Sequence, residues 1–411
     1  MGDRLVLGLG GTVDIEIVWD SATLEGLVQA YGVRAAEIDT AVSIETERDL
    51  LCSLLGFVRD GSGGERFVVS SEIVTAFASR FGGAVTLGGT PVRAALAMDK
   101  LGVATTVHLV SIDDHVRRLL PPSCDYVCSA SEDTTDPHLI VQFGAGDRVR
   151  SGDVDVTAPF PNRVIFTNDP PNRELVLSSE LGSVLADARV FMVSGFNVIQ
   201  TEALVRRRVV ELREHMTRLP PDALVIYEDA GFHFPALSRV VWEMLRGQID
   251  VGSMNEDEMQ AYLGRPLDLL DPVAMSSALL ELFRYVGVPT LVVHTKYWAL
   301  ALGRDAATFA PALDGGITMA SARYCHGDHF TRADYEVLAA MPRTPAGAAF
   351  AAALEARMGA AVRCVPANTL TVDNATTIGL GDTFVGGFIA ALPDRIKTEP
   401  HLLTYDTGAL P

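Results

Sequence analysis

The sequence predicts an α/β protein, a central, mostly parallel sheet flanked by helices, with a small β-rich lid. Short apolar, β-branched runs alternate with longer amphipathic runs along most of the 411 residues, which is the pattern of βαβ units. Two polar stretches with Gly- and Pro-rich joints break that rhythm and set the lid apart. The turn Gly379-Leu380-Gly381-Asp382, at the head of an apolar run, marks where such a sheet would hold an anion.

Taken in order, Arg4-Leu5-Val6-Leu7-Gly8 reads as the first strand. Buried strands are expected at Thr105–Val110, Val190–Val193, Leu224–Tyr227, Asp250–Ser253 and Leu291–His294. Helical periodicity places helices at Thr201–Arg218, Pro235–Arg246, Val273–Tyr285 and Thr344–Met358. The lid is expected from residues 12–71 and 138–171, with alternating strands at Val13–Trp19, His138–Phe143 and Arg163–Thr167. Residues 1–11, 72–137 and 172–411 then form the large nucleotide-binding unit. No internal repeat is present, and a modest Ala-rich run near 346–361 is the one approach to low complexity.

Composition narrows the function. With 48% apolar residues the chain has ample material for a core. A formal charge of −19 argues against nucleic acid or an anionic membrane as partner, since both need basic surface. A phosphorylated small molecule stays open, because backbone N–H groups and a few arginines suffice to bind it. Five scattered cysteines (Cys52, Cys124, Cys128, Cys325, Cys364) fit a reducing compartment and show no metal-type spacing. No apolar run reaches the ~20 residues of a membrane span, and the first residues lack a signal core. A soluble, cytoplasmic protein is expected, and nothing in the sequence sets its oligomeric state.

The run from Thr377 to Phe384 carries the chemistry. Gly379 and Gly381 let the backbone turn sharply and approach a ligand, and the following run to Leu392, stopped by Pro393, reads as a helix from Thr383. A helix start offers unpaired N–H groups and the positive end of the dipole to a phosphoryl group. Asp382 beside that anion would accept a proton from an attacking hydroxyl. The alternative is an ordinary Asp N-cap, and the turn by itself leaves both open.

Four further segments accompany it: Gly10-Gly11-Thr12-Val13-Asp14, Gly88-Gly89-Thr90-Pro91-Val92-Arg93 leading into a helix that ends at Gly102, Asn255-Glu256-Asp257-Glu258, and Val292-Val293-His294-Thr295. In this order, over nearly the whole chain, the set resembles the ADP-dependent glucokinase/phosphofructokinase family of the ribokinase superfamily. The resemblance implies a ribokinase-like fold and a sugar kinase that takes a phosphoryl group from ADP with Mg2+. It implies Asp382 as catalytic base and Gly379 and Gly381 as the anion hole. Asn255 and Glu258 match the family's Asn-x-x-Glu motif near Mg2+ and the nucleotide; a capping box is the structural alternative. Asp14, Gly88, Gly89, Glu65 and Asn197 match sugar-side positions. His294, Thr295, Val365 and Pro366, with Asn255 and Gly379, match the nucleotide side, and Glu228 matches a second cation contact.

Three positions depart from the family pattern. Thr12 stands where Asn is usual, Ile226 stands where a His precedes the glutamate, and Arg93 replaces a small or apolar residue. Arg93 is either a sign of an anionic acceptor or the partner of a lid carboxylate. An ATP-dependent sugar or nucleoside kinase of the same superfamily and a non-catalytic sugar or nucleotide sensor are the alternatives to the ADP-dependent kinase.

Overall fold

The computed structural model describes residues 4–303, 305–372, 375–376 and 378–393; Thr377, the first residue of the expected phosphate turn, lies outside them. In chain order the strands are β1 (Arg4–Gly8), β2 (Thr12–Ile17), β3 (Gly64–Phe67), β4 (Gly83–Gly88), β5 (Thr105–Leu109), β6 (Cys124–Cys128), β7 (His138–Phe143) and β8 (Arg148–Ser151). They continue with β9 (Val154–Thr157), β10 (Asn162–Thr167), β11 (Ala188–Val193), β12 (Leu224–Glu228), β13 (Val251–Asn255), β14 (Thr290–His294), β15 (Trp298–Gly303) and β16 (Val362–Pro366).

Nine of them form the large sheet in the order β16-β15-β14-β13-β12-β11-β1-β5-β6. Every neighbouring pair from β14 through β6 is parallel, and β15 pairs antiparallel with both β14 and β16. The strands read as unbroken apolar runs because both faces are covered. Phe191 and Val193 of β11 pack into one core layer, while Val190 and Met192 pack into the other. The expected strands of this unit, and the helices expected at Thr201–Arg218, Pro235–Arg246, Val273–Tyr285 and Thr344–Met358, lie within two residues of their observed places. Asp250 is the exception in kind: its side chain accepts from the Val225 N–H instead of extending β13. No helix among the described residues is long and apolar enough to cross a membrane.

The lid is a five-stranded sheet in the order β3-β10-β7-β2-β4. Its alternation sorts side chains onto two faces. Leu139, Val141 and Phe143 of β7 and Val164 and Phe166 of β10 enter a core capped by helices Ser21–Tyr31, Glu47–Asp60 and Ser71–Ala78. His138, Arg163, Ile165, Thr167, Glu65 and Phe67 face the other way, toward the large sheet.

Two expectations about the lid are corrected. Residues 72–88, expected in the large unit, contribute helix Ser71–Ala78 and strand β4 to the lid, because β4 pairs with all of β2 from Thr12↔Gly88 to Ile17↔Gly83. The first lid segment is also largely helical, not a run of strands. Thr46 caps Glu47–Asp60, whose Leu50, Leu51, Leu54, Leu55 and Val58 recur at helical spacing before Gly61 ends it in the left-handed region.

Candidate active site

The lid's inner face and the carboxyl ends of the large sheet enclose a cavity of about 290 Å³. Asp14, Glu65, Arg93, Asn197, Gly89, Gly379 and Asp382 all line it, bringing together residues predicted from segments far apart in the chain.

At its floor the helix starts at Leu380, three residues earlier than the sequence suggests. Gly379 is the N-cap residue, with φ +65°. Asp382 is therefore in the first turn and caps nothing, which removes the N-cap alternative. No side chain among the described residues caps this helix, so the N–H groups of its first turn are open to a ligand. Thr90, at the start of helix Thr90–Asp99, donates to Asp382 Oδ1 at 2.7 Å and fixes the carboxylate. The other oxygen carries no hydrogen bond among the described residues.

The sugar side is tightly paired. Asp14 is buried and accepts from Arg93 Nη2 at 2.7 Å and from the Thr12 hydroxyl at 2.7 Å. The departure at Thr12 thus has a purpose, since its hydroxyl orients Asp14. Gly88 leaves room for both: a Cβ there would stand 2.2 Å from Asp14 Oδ2 and 2.3 Å from Thr12 Oγ1. Gly89, at φ +83°, would press a Cβ to 2.9 Å from Gly11 Cα. Arg93 also reaches Glu16 at 3.4 Å, so it forms the lid ion pair that was one of its two readings. Burial opposes its charge, yet Asp14, Asp382 and Glu16 together hold its pKa above the ordinary arginine value.

Beside Asp14, His138 Nε2 lies 3.0 Å from Asp169, and Asn172 donates to Asp169 at 2.7 Å and to the Gly11 carbonyl at 3.0 Å. Burial works against a charged imidazole, but Asp169, with Asp14 and Glu65, raises His138 to about 9. Glu65 lies 3.2 Å from His233, which packs edge-on against Phe67.

The cation side lies outside this cavity, at the ends of β12, β13 and β14. Asn255 caps helix Glu256–Leu263 and Glu258 returns to the Asn255 N–H at 2.8 Å, so the capping box is present. The capping bond does not offset the burial and the neighbouring acids. Burial, then Asp229 and Glu228, push Glu258 well above the usual carboxylate range. Burial also raises Asp229 to about 6, against the hydrogen bonds from Tyr262 and Tyr227. Glu228 Oε2 is buried without a partner among the described residues. Its Oε1 lies 3.1 Å from His294 Nε2. His294 stacks on Phe384 at 4.4 Å, and its Cε1 would lie 3.5 Å from a Cβ on Gly381. This histidine, two strands away, makes the contact to Glu228 that Ile226, an apolar side chain packed in the core on the same face of β12, cannot make.

No group of three or more His, Cys, Asp or Glu side chains among the described residues could hold a metal by itself. Crowded carboxylates with an orphaned oxygen nevertheless suit a hydrated Mg2+, which uses one or two carboxylates and completes its shell with water and phosphate. Of the remaining nucleotide-side residues, Thr295 is engaged in a turn, accepting from Tyr297 and Trp298 N–H, and Val365 pairs with Ala299 inside the sheet. The Pro366 carbonyl accepts from Arg343 at 3.0 Å.

Several lining residues were not singled out in the sequence: Thr90, His138, Arg163, Asp169, Asn172 and Arg173. Arg163 is mostly buried, which lowers its pKa, and it lies in the field of Asp382 without an ion pair among the described residues. The signal was available for two of them. His138 and Arg163 are the polar positions of strands whose alternate residues are apolar, so they had to face away from the lid core.

Known proteins share this design. The conserved region of ADP-specific phosphofructokinases and glucokinases matches residues 3–389. An ADP-dependent glucose/glucosamine kinase from Pyrococcus furiosus is 24% identical over 364 residues, covering 76% of this chain and 78% of that protein. A phosphofructokinase from Pyrococcus horikoshii, crystallised with AMP, superposes with a TM-score of 0.74 at 18% identity, covering 94% of this chain and 97% of that one. An ADP-dependent kinase in complex with fructose-6-phosphate and ADPβS gives 0.69 at 14% identity, over 96% and 94% of the two chains.

Proposed function

The chain belongs to the family of ADP-specific phosphofructokinases and glucokinases, and from that premise we propose that it transfers the β-phosphoryl group of ADP to a hydroxyl of a neutral hexose, with Asp382 as base. One observation carries this: the uncapped helix start with Asp382 opens into the same cavity as Asp14, Glu65 and Asn197. The base and the groups suited to sugar hydroxyls therefore face one space.

The residues divide the work. Asp14 and Glu65 accept from sugar hydroxyls, and Asn197 offers both a donor and an acceptor. The bound sugar then presents a hydroxyl to Asp382, which takes its proton as the oxygen attacks phosphorus. The first-turn N–H groups of the Leu380 helix stabilise the charge on the phosphoryl oxygens, and Arg163 adds a further donor from the lid. Mg2+, held by Glu258 and Glu228 with its waters, would neutralise the nucleotide phosphates when bound. Asn255 holds Glu258 in place through the capping box. Closing the lid excludes water, so that ADP is not hydrolysed in place of sugar. A cytoplasmic location follows from the dependence on ADP as substrate.

A neutral acceptor is favoured over a sugar phosphate because the cations beside Asp14 are already engaged: Arg93 by Asp14 and His138 by Asp169. Turnover measured with glucose and with fructose 6-phosphate, each with ADP and with ATP, tests the proposal. Phosphorylation of glucose from ADP is expected. Preference for fructose 6-phosphate would overturn the neutral acceptor, and a product from ATP alone would favour the ATP-dependent alternative. Binding of sugar and ADP without any turnover would favour a sensor.

A further inference from the structure

Arg93 does more than neutralise the lid. Its guanidinium is 4% exposed, and only one edge is used: Nη2 lies on Asp14 and Glu16, while Nη1 is buried with no partner among the described residues. Leaving a charged donor unpaired is costly, so a group that acts only when the site is loaded is the natural complement. The unpaired edge lies at the phosphoryl turn. A Cβ on Gly379 would stand 3.2 Å from Nη1 and 2.8 Å from Cδ of Arg93. Across the turn, Arg323 donates from Nε to the Ile378 carbonyl at 2.6 Å, so Gly379 is held between two guanidinium groups.

We propose that Arg93 is a catalytic residue whose Nη1 donates to an oxygen of the β-phosphoryl group while it passes from ADP to the acceptor in front of Gly379. The proposal rests on the kinase function above and adds this chain's own arginine to it. In the step, the acceptor oxygen bonds to the β-phosphorus and the bond from phosphorus to the bridging oxygen breaks. That electron pair leaves with AMP, and the acceptor's proton goes to Asp382. Charge is spread over the oxygens of the moving group, where a fixed donor in a dry site acts most strongly. Asp14 and Glu16 hold Nη2, which orients the planar fork and points its other edge at the turn. An ammonium in its place would meet Asp14 as a point charge and leave nothing for the phosphoryl group.

The test uses Arg93→Lys beside Arg93→Gln, since Lys keeps the charge that buried Asp14 needs for folding. With ADP and glucose, the Lys variant is expected to keep a wild-type melting temperature and a glucose KM within about threefold, with kcat lowered about 30-fold or more. A kcat within about threefold of wild type would overturn the proposal, as would a raised KM at unchanged kcat, which is the signature of action through Asp14 on the sugar. A second readout is the thermal stabilisation given by AMP, Mg2+ and aluminium fluoride, a mimic of the phosphoryl group in transit. It should be large in the wild type and lost in the Lys variant, while stabilisation by ADP remains. Equal stabilisation of both proteins, or none of either, overturns the proposal. If the wild type turns over no sugar with ADP, the kinase function fails, and the fluoride complex still decides the role of Arg93.

Discussion

The two ends of the site are built on opposite principles. On the sugar side most of the charge is paired inside the protein: Arg93 with Asp14 and His138 with Asp169, with Thr12 and Asn172 filling further bonds. On the cation side three acids, Glu228, Asp229 and Glu258, crowd together, and the hydrogen bonds to their side chains come from tyrosines, Asn255 and His294, with no arginine or lysine among the described residues. The Asp14 end is largely satisfied within the protein, whereas the Glu228 end keeps an orphaned oxygen, so on the proposed function the acceptor site is set before its ligand arrives and the donor site is completed by metal and nucleotide together.

The largest expected effect lies where the two ends meet. Asp382→Asn should lower kcat by about 10³-fold or more while the KM for ADP changes little, because the lost interaction exists in the transition state alone. A variant that keeps wild-type kcat would remove Asp382 as base.

Next comes a substitution that should act in opposite directions on activity and stability. Glu258→Gln keeps the capping box but removes an ionisable carboxyl from the crowded acids. Without Mg2+ its melting temperature should equal or exceed that of the wild type, while kcat/KM for ADP with Mg2+ falls about 10- to 100-fold. The wild type should gain more stability from Mg2+ above pH 6 than below it, since Asp229, raised to about 6, must give up its proton to attract the ion. Equal loss of stability with and without Mg2+ would mean that this end is as self-sufficient as the other.

On the sugar side the pH dependence has the opposite sense. His138 is raised to about 9, so its charge stabilises the fold fully below the ordinary histidine range and progressively less as pH rises through 9. Melting followed between pH 6 and 10 should show a loss of up to about 3 kcal/mol in the wild type. In Asp169→Asn that loss should nearly vanish, because the variant begins from a lower stability at neutral pH. The smallest effect is expected at Thr12→Val, where one hydrogen bond to Asp14 is removed, worth about 1 kcal/mol in sugar KM.

Legibility in the sequence follows the same division. The large sheet was readable because strands buried on both faces are unbroken apolar runs, and the turn before the Leu380 helix because glycines and an acid at a helix start form a local pattern. The lid was harder. Strand β4 contains Gly83 and Gly88 and little that marks it as a strand until β2 pairs with it, and helix Glu47–Asp60 was hidden by the polar joints around it. Long-range pairings were not readable at all: Thr90 to Asp382, 292 residues apart, and His294 to Glu228, 66 apart, exist only once the sheet is assembled. Ile226 looked like a lost contact for that reason, although another strand supplies the histidine.

The most direct measurement follows phosphorus during the reaction. With enzyme, Mg2+, ADP and glucose, 31P NMR should show AMP and a sugar phosphate appearing in equal amounts, with no inorganic phosphate. AMP accompanied by inorganic phosphate, or no loss of ADP in the presence of any hexose, would contradict a lid-covered site in which Asp382 delivers a sugar hydroxyl to ADP.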